Sequence, residues 1–504
     1  MGRIDADTID AGKPALSRRG LLKGLGVGAA VAGFSTVTGS WVTADAATRT
    51  PGLVAAPRLE GTLEYSPGAL AAFGKDFGGL VHDLPKAVLR PGSVADIVKV
   101  VQYARRLGLK VAVNGQGGRD ADVESHSCYG QAQVRGGVSI DAKALATIHT
   151  IGSNHAVVGP GVTWGELVTA GYAKGKTPPA LTDYLHLSIG GTVSVGGIGG
   201  GTAKYGLQAD TVQEIEVVTG DGRVLTATPT TRADLFHAAL AGGGQVGIIT
   251  RLKVKMIPAP TSALVFSLFY DNLGTFLADQ EKLLRDGRFE HQSGELARKP
   301  DDSGWWYRLE AVSYAVNPDQ AALLNGLRDV RSAADIYPLP YLDWVFRANA
   351  WEDFLKENDF MAQPHPWLSL IMPASTVKRF VESVVPELTP ADLGAGFSVL
   401  SPINTAKVRQ PLFSRADEPI VYLFDLLRFP PPGETRIAAM LEQNRRLYDR
   451  AVAMGGKRYL VGAIPGMTRA QWRRHFGPAW DGLLAAKRRY DPDHVLTPGQ
   501  GFFG

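Results

Sequence analysis

The sequence predicts an α+β protein built from two mixed domains. Three observations carry this. The chain has 504 residues, room for two or three domains of about 100–200 residues each. From residue 67 to residue 258, short β-branched runs alternate with helical patterns but never settle into a strict βαβ repeat. Pro258-Ala-Pro260 then marks a change of texture: residues 261 to 455 hold more tryptophan and longer amphipathic helices.

Composition narrows the class. Apolar residues make up 45% and charged residues 20%, which excludes a disordered chain. The net charge of +4, from 53 basic and 49 acidic residues, is too balanced for a nucleic-acid-binding surface. One cysteine, Cys128, excludes an internal disulfide and a cysteine-cluster zinc site, and no metal site is expected.

The N-terminus reads as an address. Arg18-Arg19 precede a Gly/Ala-rich apolar stretch over residues 24–39, followed by Ala44-Asp45-Ala46-Ala47. This is the layout of a twin-arginine export signal over residues 1–46. The stretch is shorter than the ~20 residues that span a bilayer. The mature chain is therefore expected outside the cytoplasm (periplasmic, secreted or cell-surface), with no membrane span and a cofactor inserted before export. Residues 47–60 read as a linker.

The elements of the first domain follow in order. Apolar residues at Ile97, Val98, Val100, Val101 and Ala104 form one face of a helix over 95–107. Residues 110–114 read as a buried strand running into glycines, and 155–159 as another. Thr163 caps a short helix reaching residue 173. Residues 212–219 alternate and turn at Gly220-Asp221-Gly222 into a strand at 223–227. A helix at 232–241 and a strand at 246–256 complete the domain. In the second, Asn317 and Pro318 suit the start of a helix over 318–329. Residues 305–309 and 420–425 are aromatic-rich strands, and 437–454 is a helix. A last helix over 469–490 precedes a turn-rich tail.

Three glycine-rich stretches fall within the first domain: Asn114-Gly-Gln-Gly-Gly118, Gly190-Gly191 with Gly196-Gly197-Ile198-Gly199-Gly200-Gly201, and Gly242-Gly-Gly-Gln-Val-Gly247. Glycine lets backbone N–H groups approach an anion closely. None of the stretches is a proper dinucleotide or P-loop fingerprint, and each alone could be a turn. Together they favour a large dinucleotide lying across several loops.

Specific motifs add to this. The segment Leu181-Thr-Asp-Tyr-Leu-His-Leu-Ser-Ile-Gly-Gly-Thr-Val-Ser194 resembles the central segment of cytokinin dehydrogenases, flavoenzymes of the vanillyl-alcohol-oxidase superfamily. His126-Ser-Cys-Tyr-Gly-Gln131, Arg232-Ala-Asp-Leu-Phe236, Pro364-His-Pro-Trp-Leu368, His475-Phe-Gly477 and Leu496-Thr-Pro-Gly-Gln500 resemble that family's stretches as well. The resemblance implies a PCMH-type FAD-binding domain of two α+β subdomains over 61–258, an α+β substrate (cap) domain over 259–455, and a segment over 456–504 that returns to the FAD domain. It also implies that Asn114, Gly115, Gln116, Gly117, Gly118, Ser127, Gln131, Ser188, Ser194, Ile198, Ile249, Thr497 and Gln500 contact FAD.

His126 stands where the family carries the histidine bonded to the flavin 8α-methyl. The family runs Gly-x-Gly-His-Ser without interruption, whereas here residues 119–125 intervene. The bland alternative is a hydrogen-bonded loop histidine, and Cys128 is a second nucleophile within reach. By resemblance Asp183 is the catalytic base, taking a proton from a substrate amine or alcohol while a hydride passes to the flavin N5; capping a turn is its structural alternative. Trp367, His365, Tyr459 and Tyr184 are candidates for the substrate wall. Plant members place the glutamate of a Glu-Gly pair against the purine; here Ser293-Gly294 stands there, with Glu290 and Glu295 nearby. The resemblance implies oxidation of a small planar substrate at a C–N or C–OH bond, a cytokinin-like N-substituted adenine first, with O₂ or a quinone as acceptor. The alternatives are an alcohol or sugar oxidase, which would need a more polar pocket, and a non-catalytic flavin-fold binding protein.

Overall fold

The structure is a computed structural model that describes residues 31–43, 46, 49–119, 124–299, 304–496 and 499–504. Arg18-Arg19, the segment up to residue 30, and Ala44, Asp45 and Ala47 lie outside the described residues. Val31–Ser35 pairs with Ser40–Thr43 and with Leu53–Ala55 in a three-stranded sheet, so the stretch expected as a linker contributes a strand. Tyr103 anchors this sheet. Its ring stacks on Trp41 at 5.8 Å, and its hydroxyl accepts from Phe34 N and donates to the Val54 carbonyl.

The α+β class is what the fold shows. Its first layer is a four-stranded sheet in the order Thr62–Glu64, Ala87–Arg90, Val138–Asp141, Val111–Asn114, whose last three strands run parallel. Helix Val94–Leu107 packs on it through Ile97, Val100, Val101 and Ala104, the stripe read from the periodicity. It stops where Gly108 takes a left-handed φ of 66°. The second layer is a five-stranded antiparallel sheet, Val224–Ala227, Val212–Thr219, Gly247–Lys255, His155–Val158, Ile148–Ile151. Helix Trp164–Tyr172 beside it opens with a full capping box, Thr163 with Glu166.

Two four-stranded antiparallel sheets form the second half. One runs His291–Arg298, Trp305–Ser313, Ser262–Tyr270, Asp335–Pro340; the other Phe397–Asn404, Ile420–Leu427, Leu368–Pro373, Lys457–Arg458. They meet edge to edge. Ser401 Oγ accepts from Gly294 N at 3.0 Å and Ser398 Oγ from Leu296 N at 2.7 Å, so serine side chains stand in for ladder bonds. The result is one broad wall whose inner face looks towards the first half.

Two expected helices differ. The helix expected over 318–329 is only Gln320–Leu324, capped by Asp319. Asn317 sits at φ 49° and Pro318 precedes the cap, so both belong to the turn before it. The single helix expected over 469–490 is two, Arg469–Phe476 and Ala479–Tyr490, broken at Gly477-Pro478, where Pro478 lacks the N–H to continue a helix.

The second of these helices locks the C-terminal segment to the first half. Lys487, fully buried, donates to Gln245 O and Asp491 Oδ2 at 2.7 Å each and to the Leu496 carbonyl. Asp491 in turn accepts from Val495 N and Leu496 N at 2.8 Å each. Removing one partner of a buried pair strands the other, at a cost of about 3–5 kcal/mol. Lys487→Met is therefore expected to lower unfolding stability by about that much in urea denaturation. Adding Asp491→Asn, which removes the stranded charge and keeps an oxygen for the backbone N–H groups, should recover part of the loss; a double variant no better than the single would show that the stranded charge is not the source.

Candidate active site

Between the two halves lies a cavity of about 610 Å³, within the range of small-molecule sites. Its floor is made by the glycine stretches. Gly115, Gln116 and Gly117 line it, as do Gly190, Gly191, Gly197–Gly200 and Gly243-Gly244. The loops press closely: a Cβ on Gly115 would lie 2.1 Å from Ser188 Oγ and 3.0 Å from its Cβ, so a larger residue would push the Ser188 cap aside. Ser188 caps the helix Ile189–Val195 through Gly191 N. Ser127, Gln131, Ser194, Ile198 and Ile249 line the same floor.

Other expected contacts sit differently. Asn114 is buried behind the loop, donating to Ser125 Oγ and accepting from Gln116 N. Gly118 donates to the His186 carbonyl. Neither lines the cavity. Gln500 donates to Leu460 O at 3.0 Å and keeps a buried, unpartnered Oε1. Thr497 lies outside the described residues.

His126 borders the floor. Its ring stacks on Phe77 (5.1 Å, 21° between planes) and lies 5.4 Å from Tyr184. Burial pushes its pKa down to about 4, so the imidazole is neutral at pH 7, and its Nδ1 has no hydrogen-bond partner. The intervening residues do not displace it. Glu124 N donates to Gly117 O at 2.9 Å, so the chain leaves and re-enters beside the same glycine. Cys128 also lines the cavity, and burial raises its thiol far above the usual range, leaving it protonated.

Asp183 lines the cavity too. It is ion-paired rather than solitary: Arg347 Nη2 donates to Asp183 Oδ1 at 2.6 Å and reaches Glu310 Oε1 at 3.4 Å. The guanidinium lies 3.7 Å over the Trp344 ring. Burial alone would raise the Glu310 carboxyl, but His291, Arg347 and Arg308 together hold it at about 2. The loop carrying Asp183 is gripped at two further points. Tyr184 OH donates to Glu352 Oε1, and His186 Nε2 bonds Asn349 Oδ1, at 2.9 Å each.

The roof is the inner face of the joined sheets: Ser293, Glu295, Arg308, Glu310, Val399, Ser401, Leu423, Asp425 and Leu427. Glu295, two residues beyond Ser293, shares its face and brings a carboxylate to the cavity, bonded to Arg308 at 2.7 Å. Glu290 instead pairs with Lys204 at 2.8 Å, outside the cavity lining. Trp367 forms part of the wall and donates to Arg428 O; Tyr459 accepts from Gly197 N. His365 is not in the lining. Its ring is spent on the Phe77 and Phe360 carbonyls.

Arg347, Glu310, Phe77, Glu352 and Asp425 escaped the sequence reading. The one available signal was Asp425, the sole charge in the apolar run Ile420–Leu427.

The residues present fit a flavin dinucleotide. Three unpartnered buried polar atoms, Gln116 Nε2, Gln131 Oε1 and His126 Nδ1, belong to residues on the cavity floor, and such atoms call for a partner.

Comparison with known proteins agrees. Residues 85–228 match an FAD binding domain, and residues 304–503 match the family described as cytokinin dehydrogenase 1, FAD and cytokinin binding. The "uncharacterized oxidoreductase ORF5 in fasciation locus" of Rhodococcoides fascians is 36% identical over 434 residues, covering 85% of this chain and 96% of that protein. Cytokinin dehydrogenase 4 of Oryza sativa subsp. japonica is 32% identical, covering 88% and 90%. Cytokinin dehydrogenase 2 of Arabidopsis thaliana is 29% identical, covering 88% and 93%. With both halves matched and the glycine floor in place, the chain belongs to the PCMH-type FAD-binding, cytokinin-dehydrogenase-like family of oxidoreductases.

Proposed function

We propose that the protein is an exported FAD-dependent oxidoreductase that takes a hydride from the carbon attached to the exocyclic nitrogen of an N-substituted adenine. One observation carries this reading: Asp183, His126 and the glycine loops border a single cavity walled by Phe77, Trp367 and Tyr459. The names of the plant relatives support the substrate class. The Arg18-Arg19 motif and the cleavage pattern before residue 47 support export by the twin-arginine route.

Bound FAD supplies the hydride acceptor. The glycine floor, Ser188, Ser194 and Gln131 would hold it, and the neutral His126, whose Nδ1 has no hydrogen-bond partner, would be the residue that tethers it. Asp183 takes the proton of the substrate N–H as the C–H bond gives up its hydride. Arg347 engages Oδ1, which in this reading leaves Oδ2 to accept that proton. Phe77, Trp367 and Phe429 exclude water and hold a planar ring. O₂ or a quinone would be the electron acceptor. A second reading, an alcohol or sugar oxidase, is favoured by the polar side of the roof, where Glu295, Arg308, Glu310 and Arg347 cluster.

Anaerobic mixing separates these readings. An N6-alkyladenine is expected to bleach the flavin, and Asp183→Asn to slow bleaching about 10²–10⁴-fold with FAD content unchanged. Bleaching by alcohols or sugars alone would replace the leading reading with the second, and no bleaching by any of them would end both.

Acid precipitation tests the tether. Colour should stay in the wild-type pellet and move to the supernatant in His126→Ala; colour in the wild-type supernatant would show that FAD is not covalently held.

Replacing Arg18 and Arg19 by lysine should leave the protein in the cytoplasmic fraction of its host. Unchanged fractionation would remove the twin-arginine route.

A further inference from the structure

One polar group in the roof has no role in the chemistry above. Asp425 lies in the strand Ile420–Leu427, where Leu423, Asp425 and Leu427 alternate on the face lining the cavity. It is buried, and its Oδ1 has no hydrogen-bond partner. Its neighbours across the two ladders are Ser369 and Val399. Ser369, buried directly across the ladder, has no strict hydrogen-bond partner but lies close enough to Asp425 to oppose the effect of burial on its carboxyl. The titratable groups facing Asp425 from other elements are the Cys128 thiol and the Tyr459 phenol, both held neutral by burial. Neither supplies a positive charge. A buried carboxyl without a cation is costly as an anion, and burial pushes this one up to about 8.

A buried acid with an open oxygen in an apolar wall of Val399, Leu423, Leu427 and Trp367 suits a ligand that offers it a hydrogen-bond acceptor. It lines the cavity from a strand of the cap. In strand order it lies three strands from Glu310, which adjoins Arg347 and Asp183, about 14 Å at ~4.8 Å per strand. It therefore stands apart from the Arg347–Asp183 pair. We propose that Asp425 is a substrate-specificity residue whose protonated carboxyl donates a hydrogen bond to a ring nitrogen of the purine. This rests on the adenine reading above. It differs from a contact at Ser293, which stands on a strand of the other sheet.

Adenine, which has no alkyl group to oxidise, is the probe. Its binding to the FAD-loaded enzyme is measured by calorimetry between about pH 6 and 9, with aniline as the comparator lacking ring nitrogens. Wild-type affinity should be flat at low pH and fall about tenfold per unit above the Asp425 ionisation. The sign follows from the donor: deprotonation removes the hydrogen and leaves an anion facing an acceptor. Asp425→Asn, which keeps an N–H donor, should bind adenine within a few-fold of wild type and lose the alkaline limb. Asp425→Leu should weaken adenine about 5- to 150-fold, as for a lost base-edge contact, and leave aniline unaffected. FAD content and melting temperature of the Asn variant report on folding.

Adenine binding equally to wild type and the Leu variant would overturn the proposal. So would an alkaline limb that persists in the Asn variant, or a flavin absorbance shift without a change in affinity, which would place the carboxyl against the cofactor. Failure of wild type to bind adenine would overturn it too, while bleaching by an N6-alkyladenine would still stand for the reading beneath it. Adenine binding without such bleaching would sink that reading and leave Asp425 to be judged by its variants.

Discussion

The site depends on one guanidinium. Arg347 bonds Asp183 from one half of the molecule and Glu310 from the other, and lies flat on Trp344. Two further bonds, Tyr184 to Glu352 and His186 to Asn349, bind the same loop to the helix Ala348–Glu357. The Asp183 loop is therefore held by the cap as well as by its own domain. A paired charge in a partly buried place contributes little net stability, because desolvation offsets attraction. What it contributes is direction: it holds one oxygen of a carboxylate that lines the cavity.

The cap can hold that loop because its two sheets act as one surface. Ser398 and Ser401 reach across the gap to backbone N–H groups that would otherwise be unsatisfied at a buried edge. Gly294 is needed at this join, since a Cβ there would stand 2.2 Å from Gln280 Nε2 and 2.5 Å from Leu400 O. The contact between the halves is equally close at Gly200, where a Cβ would lie 2.2 Å from the His291 ring. Part of the Gly196–Gly201 run thus serves the packing of the cap against the floor.

Much of this was legible in the sequence. The helix stripe at Ile97–Ala104, the Thr163 cap and the Asp-Gly hairpin at Gly220–Gly222 are local patterns, and local patterns survive into the fold. The floor residues were legible because glycine clusters and the Leu181–Ser194 motif are contiguous. The Gly477-Pro478 break was also legible, since proline ends a helix, yet the periodicity on either side outweighed it. The ion-pair network was not. Arg347 and Asp183 stand 164 residues apart, and no spacing rule connects charges at that distance. Asn114 and His365 show the converse: residues in matching motifs whose polar atoms are turned to backbone and loop rather than to the cavity.

The interrupted loop before His126 shows why spacing in sequence is a poor guide to spacing in space. Lengthening a surface loop costs little, because closure entropy grows only with the logarithm of its length. What matters is whether its ends are fixed. Here they are, by the Glu124–Gly117 hydrogen bond at the neck and by Asn114 and Gln133, whose side-chain amides both bond Ser125 Oγ just beyond it. The chain re-enters the described residues at Glu124, bonded to Gly117, and Phe77 stacks on the imidazole. A histidine separated from its motif in sequence is thereby returned to the floor of the cavity, beside the residues that the uninterrupted motif would have placed next to it.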